Sequence, residues 1–278
     1  MTNTNRSYSH TNEEPYTRER GESLALNIYP PLIASSLRRG SGGRRTASYY
    51  RHQLVCIAVD TSRSMEGWKA KAATEAVQET VYGCKMKSNG DSIFDFSLLW
   101  FGDYVFSDES LLLKPVQEID EDKIEFLGDS GGTRIKQAVK CVANLIEKYD
   151  EHNLAHNPEK DRVPPPLIIF MSDGKNGDGD PLPITNKLKT TPLSIGVPPI
   201  VITVGIEFDG GEPDIELLTA MASETEHGQK LYFDIASAGQ LVEYLATGAS
   251  SGASTPDEFY RSIVQTEAWQ KRLPNPEK

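Results

Sequence analysis

The run Leu54-Val55-Cys56-Ile57-Ala58-Val59 is apolar at every position and stops at a carboxylate, Asp60. A strand that faces water on one side alternates apolar and polar residues. One with no polar position is buried on both faces, as an inner strand of a parallel sheet is when helices cover it. Leu167-Ile168-Ile169-Phe170-Met171 repeats the pattern, and Ile200-Val201-Ile202-Thr203-Val204 follows it except at Thr203. Helical periodicities lie between them. Residues 67–87 place Ala70, Ala73, Val77, Val81 and Cys84 on one face, and residues 134–149 do the same with Ile135, Ala138, Val139, Val142, Leu145 and Ile146. Strands alternating with helices in this way predict an α/β fold on a mostly parallel sheet.

The remaining segments fill in the order. Residues 93–101 read as a second strand, and Gly102-Asp103 as a hairpin turn that returns residues 104–106 antiparallel at the sheet edge. Leu111-Leu112-Leu113 either extends that edge strand or continues it after a bulge. Residues 119–126 read as a short helix or turn, 150–166 as an exposed connection, 184–189 as a short helix and 214–223 as a longer one. Asn89-Gly90-Asp91 ends the first long helix. A last strand at 230–233 and a helix at 238–246 complete a body spanning 51–247. Residues 1–50 form a flexible extension, without periodicity over 1–22. Its apolar piece Leu24 to Leu37 is either an added edge segment or a short partner-binding peptide. Residues 248–278 form a Gly/Ser/Ala linker and an amphipathic helix over 256–273, with Phe259, Ile263, Gln265, Thr266 and Trp269 roughly aligned. That helix either packs on the body or presents its apolar face to a partner.

Charge narrows the class of partner. The net charge is −11, yet residues 1–53 carry eight Arg and four Glu, against 21 basic and 36 acidic residues in the rest. An acidic body excludes nucleic acid as the main partner. Cys56, Cys84 and Cys141 each fall inside an apolar pattern and lack a metal-ligand spacing, so they read as reduced core residues. No apolar stretch approaches the roughly 20 residues of a membrane span, and the amino terminus has no apolar run of the kind a signal peptide needs. These features predict a soluble, cytoplasmic protein with no membrane partner.

Oxygen donors gather at the strand ends. Asp60, Ser62 and Ser64 follow the first strand at alternate positions, Thr133 starts a helix after Gly131-Gly132, and Asp173 ends the strand at 167–171 ahead of Gly174. In open parallel sheets, sites form outside the carboxyl ends of strands. Hard oxygen ligands suit a small divalent cation such as Mg²⁺. Taken alone, the first cluster also reads as a strand-to-helix turn with Ser64 or a neighbour as N-cap; five donors from three loops at one sheet edge favour the metal. The glycines at 131 and 132 are expected to let the backbone approach the first loop. His152 and His156 stand four apart, as two ligands on a helix face do, but nothing near them supports a metal site. Asp178 and Asp180 lack the acidic spacing and closing Glu of an EF-hand, and read as turn residues or an acidic rim.

Together, Asp60-x-Ser62-x-Ser64, Gly131-Gly132-Thr133 and Asp173-Gly174 resemble the von Willebrand factor A (vWA) domain family and its metal-ion-dependent adhesion site, with the likeness running over roughly residues 50–247. The resemblance implies a Rossmann-like doubly wound sheet, mostly parallel with one antiparallel edge strand and helices on both faces. It implies that Ser62 and Ser64 ligate Mg²⁺ (or Mn²⁺) directly, that Thr133 does so directly or through water, and that Asp60 and Asp173 mostly hold coordinated waters. An open metal position then takes a carboxylate from a protein partner: binding chemistry, not catalysis. Arg63 stands where a small residue is common, and a cation there favours an acidic ligand.

Among family members the chain is most similar to stand-alone intracellular bacterial proteins of the tellurite-resistance and stress- or defence-associated type, which implies an adaptor beside kinases, phosphatases or ATPases. An extracellular adhesin is the alternative within the family. Outside it, a Mg-dependent phosphatase or phosphotransferase of haloacid dehalogenase type also places an Asp after the first strand. That chemistry wants a second Asp two residues later as acid/base, and Ser62 has no suitable pKa. The Gly128–Thr133 loop lacks the Gly-Lys-[Ser/Thr] ending of a P-loop. A vestigial, purely structural site predicts lost motif residues, and none is lost.

Overall fold

A computed structural model describes residues 51–88, 92–157, 163–206, 214–235 and 238–266. The expectations for residues 1–50, Asn89-Gly90-Asp91 and Trp269 lie outside the described residues.

Five strands make the parallel body of the sheet: β1 (Arg51–Asp60), β2 (Ser92–Phe101), β5 (Leu167–Ser172), β6 (Ile200–Ile206) and β7 (Tyr232–Ile235). Two short ones, β3 (Val105–Phe106) and β4 (Lys114–Pro115), both pair antiparallel with the outer side of β2. The order is β3-β2-β1-β5-β6-β7, with β4 beside β2. The expected antiparallel edge is thus present but broken in two. Leu111 to Leu113 are not part of it. A 3-10 turn at Glu109–Leu111 leads to Leu113, whose φ of 50° bends the chain before β4 resumes the pairing. The segment at 119–126 holds only a short 3-10 turn, Glu121–Lys123.

Alternation along β1 explains why it has no polar outer face. Val55, Ile57 and Val59 enter one core with α1 (Trp68–Lys87), α5 (Ala238–Ala249) and α6 (Pro256–Val264). Leu54, Cys56 and Ala58 enter a second core with α2 (Ile135–Tyr149), α3 (Leu182–Thr190) and α4 (Ile215–Met221). Helices therefore cover both faces. The α1 stripe of Ala70, Ala73, Val77, Val81 and Cys84 is wholly buried, as its spacing predicts. Cys56 and Cys84 are buried free thiols and Cys141 a half-buried one. α6 packs through Phe259 and Ile263, with Phe259 lying against Phe233 of β7.

Two expectations need correction. The connection 150–166 is not simply exposed: the helix runs on through a π turn, Asp150–Leu154, and Leu154, Val163, Pro165 and Pro166 are buried. The last strand sits two residues later than 230–233. Lys230 instead bridges Glu224 across a turn, and the buried Leu231 donates its N–H to Ser223.

β1 is flanked by β2, which follows it in sequence, and by β5, reached after the chain has crossed to the other side. Such a reversal opens a crevice at the carboxyl ends of the two central strands. Val59 pairs with Met171, so Asp60 and Ser172, the last residues of the two strands, end them side by side.

Candidate metal centre

The first loop is folded by its own donors. Asp60 Oδ1 accepts the N–H of Ser62 at 2.8 Å, an Asx-type turn that reverses the chain directly after β1. A 3-10 turn, Arg63–Met65, follows, closed by Met65 N–H to the Ser62 carbonyl (2.9 Å) and anchored by the buried Met65 side chain. Ser62 and Ser64 therefore sit on one turn, with their hydroxyls 2.9 Å apart. Ser64 is not a helix cap. α1 starts after Gly67, and Ser64 Oγ donates instead to Asp173 Oδ1 at 2.7 Å.

Backbone bonds tie the second loop to this one and the third to the second. Ser130 N–H donates to the Thr61 carbonyl at 3.0 Å, and Gly177 N–H to the Thr133 carbonyl at 2.8 Å. Asn176 Oδ1 accepts from Ile135 N–H at 3.1 Å, and the Asp178 carboxylate accepts from the N–H groups of Lys136 and Gln137. Asp178 and Asp180 are thus turn and capping residues, Asp180 accepting from Leu182 N–H. The glycine that approaches the first loop is Gly128. Its φ is +66°, and a Cβ there would lie 2.6 Å from Glu66 N. Gly131 and Gly132 approach the Asp103 carboxylate instead, Gly131 N–H donating to Asp103 Oδ2 at 2.9 Å.

Three of the five expected donors line the space beside Gly174, and the other two are hydrogen-bonded to one of them. A methyl group built there would lie 3.1 Å from Thr133 Oγ1, 3.7 Å from Ser64 Oγ and 3.9 Å from Asp60 Oδ2, while Asp173 and Ser62 reach Ser64 through their hydrogen bonds. Three loops share one small polar space, left open because residue 174 has no side chain. His152 and His156 are exposed elsewhere, and among the described residues no group of three or more His, Cys, Asp and Glu gathers to hold a metal. The donor set here is hydroxyl-rich, with two carboxylates.

Two buried carboxylates face this space. Asp60 is fully buried and Asp173 is 2% exposed. The hydrogen-bond partners of Asp60 are neutral: Ser62 N–H, and Ser172 Oγ, which donates to Oδ2 at 2.6 Å. Burial pushes its pKa up to about 6, against the pull of those hydrogen bonds, and the nearby Asp173 charge adds to the rise. Asp173 has a charged partner, Lys69 Nζ at 2.5 Å from Oδ2. Two buried carboxylates with one ammonium leave a negative excess that a cation bound by oxygen would relieve.

The von Willebrand factor type A domain profile matches residues 55–247. The chain belongs to this family. Among solved structures, the vWA fold recurs at low identity. Proximal thread matrix protein 1 from the mussel byssus is 21% identical over 74% of this chain and 49% of its own, with a TM-score of 0.54. A second structure of it, with a zinc-occupied MIDAS motif, scores 0.53 at 20% identity, over 74% of this chain and 48% of its own. A von Willebrand factor type A protein from Catenulispora acidiphila is 14% identical over 72% of this chain and 42% of its own, with a TM-score of 0.51. The chain thus spans less than half of each of these proteins. No curated protein sequence matches it.

Two residues of this vWA site escaped the sequence. Ser172, the last residue of β5, orients Asp60; its place directly before Asp173 was the available signal. Lys69 reads as a surface residue near the start of a helix, and nothing local marks it as buried.

Proposed function

We propose that this vWA domain is a protein-interaction module that binds its partner through a divalent cation held by Asp60, Ser62, Ser64, Thr133 and Asp173. The single observation that carries this reading is the grouping of donors from three loops beside Gly174, with two buried carboxylates only partly offset by one ammonium. When bound, the cation offers an open coordination position to an incoming carboxylate. The chain's own residues do the rest: Ser62, Ser64 and Thr133 supply neutral oxygens, and Asp60 and Asp173 supply the charge. Binding rather than catalysis is the role we assign.

An acidic partner fits the rim. Arg63, Arg134 and Lys175 are exposed, one on each of the three loops, although the chain as a whole is acidic. Complementary charge of this kind speeds encounter and orients the partner. Mg²⁺ or Mn²⁺ is the proposed ion; the zinc-occupied motif of the mussel protein supports a divalent cation in general. The proposed setting is a bacterial cytoplasmic stress-response or defence system, with kinase, phosphatase or ATPase components as partners, and rests on the sequence resemblance alone. Among the described residues no helix is long and apolar enough to cross a membrane.

The test is capture of partners by the full chain in Mg²⁺ and in EDTA, wild type beside Thr133→Ala. Proteins held by the wild type in Mg²⁺, released by EDTA and not held by Thr133→Ala support the reading. Capture indifferent to both would contradict it.

A further inference from the structure

We propose that Lys69 is a tethered internal cation that restrains divalent-metal binding at the site. The inference rests on the metal-site reading above and adds a residue outside its five donors. Lys69 is the second residue of α1, yet its side chain is only 10% exposed and its ammonium lies 2.5 Å from Asp173 Oδ2. The other oxygen of Asp173 accepts the Ser64 hydroxyl at 2.7 Å. Both oxygens of this carboxylate therefore have partners inside the protein. A buried lysine without its counter-charge would be strongly disfavoured, so the pair holds α1 and the end of β5 together.

Charge counting gives the consequence. Asp60 and Asp173 alone would present two negative charges to an entering cation; Lys69 leaves one. The ammonium shares its carboxylate with the site, so an arriving divalent ion meets like-charge repulsion across a poorly solvated gap, where screening is weak. With the ion in place the four charges sum to +1, which one incoming carboxylate neutralises. Lys69 thus weakens the hold on metal alone and strengthens the pull on an acidic ligand.

The experiment is calorimetric titration of Mn²⁺ into the EDTA-stripped full chain: wild type, Lys69→Met and Lys69→Gln, each checked for folding by circular dichroism. Lys69→Gln keeps a hydrogen-bond donor without the charge and guards against misfolding of the Met variant. The expected result is Mn²⁺ binding about tenfold tighter in both variants. A parallel readout is thermal melting. In EDTA the variants melt below wild type, because Asp173 has lost its counter-charge, and saturating Mn²⁺ raises their melting temperatures by more than it raises that of the wild type. Binding by the variants where the wild type gives no heat supports the proposal equally. Wild-type binding with no gain in either folded variant overturns the role of Lys69 and leaves the metal site standing. No binding by any of the three overturns both.

Discussion

Replacing Ser172 by Ala tests whether the protein itself orients the buried carboxylate of the site. Ser172 is 1% exposed, and its hydroxyl donates to Asp60 Oδ2 at 2.6 Å. Ser172 Oγ also accepts Gly174 N–H at 3.2 Å, so this one atom links the end of β1 to the loop after β5. A hydrogen bond to a buried charged group is worth about 1.5–3 kcal/mol. For a domain of this size, at about 2–4 °C per kcal/mol, that corresponds to a fall in melting temperature of roughly 3–12 °C. The cost also depends on pH. The bond holds down the pKa of Asp60, which burial raises to about 6. Removing it raises the folded-state pKa further, which destabilises the variant relative to wild type only where the carboxylate is charged. The penalty is therefore larger at pH 7.5 than at pH 5, where the carboxylate is mostly protonated in both folded proteins. The assay is urea unfolding of both proteins in EDTA at the two pH values. A loss below about 0.5 kcal/mol at pH 7.5 would refute the reasoning, since it would fall short of even a neutral hydrogen bond. So would an equal loss at both pH values.

Gly174→Ala places a methyl 3.1 Å from Thr133 Oγ1, within the space the donors share. Mn²⁺ binding by calorimetry should weaken at least about tenfold, against an overpacking cost of about 1–3 kcal/mol in EDTA melting. At the opposite end of the sheet, the fully buried Asp95 accepts from Tyr149 at 2.9 Å and pairs with His52 at 3.3 Å. Burial pulls the His52 pKa down, but the hydrogen bond and charge of Asp95 outweigh it and leave the imidazole above its usual value. Its contribution to stability is thus complete below pH 6.5 and lost as the pH rises through the raised value. Unfolding free energies across pH 6–9 should show this decline in wild type and not in His52→Gln.

Much of the fold was legible because its central strands are buried on both sides. Leu54 to Val59 and Leu167 to Met171 have no polar residue to place in water, and that alone demands helices on both faces. The five proposed donors could be picked out for a related reason: they lie at or shortly beyond the end of such a strand, or at a helix start, where topology leaves the backbone free to turn. What stayed hidden depends on partners distant in sequence. Lys69 is buried through Asp173, 104 residues away, and Ser172 matters through Asp60, 112 residues away. The π turn at Asp150–Leu154 is polar in all but its last residue, and only Leu154 ties it to the core. The displaced last strand has a local origin: Lys230 pairs with Glu224, six residues before it, and the chain joins the sheet only afterwards.

The most direct measurement is calorimetric titration of Mg²⁺ and Mn²⁺ into the EDTA-stripped chain, wild type beside Asp60→Ala. The account predicts one site in the wild type that is lost in the variant, with the variant still folded by circular dichroism. Equal binding by both proteins would place the ion elsewhere, and no binding by the wild type or by Lys69→Gln would remove the metal from the account.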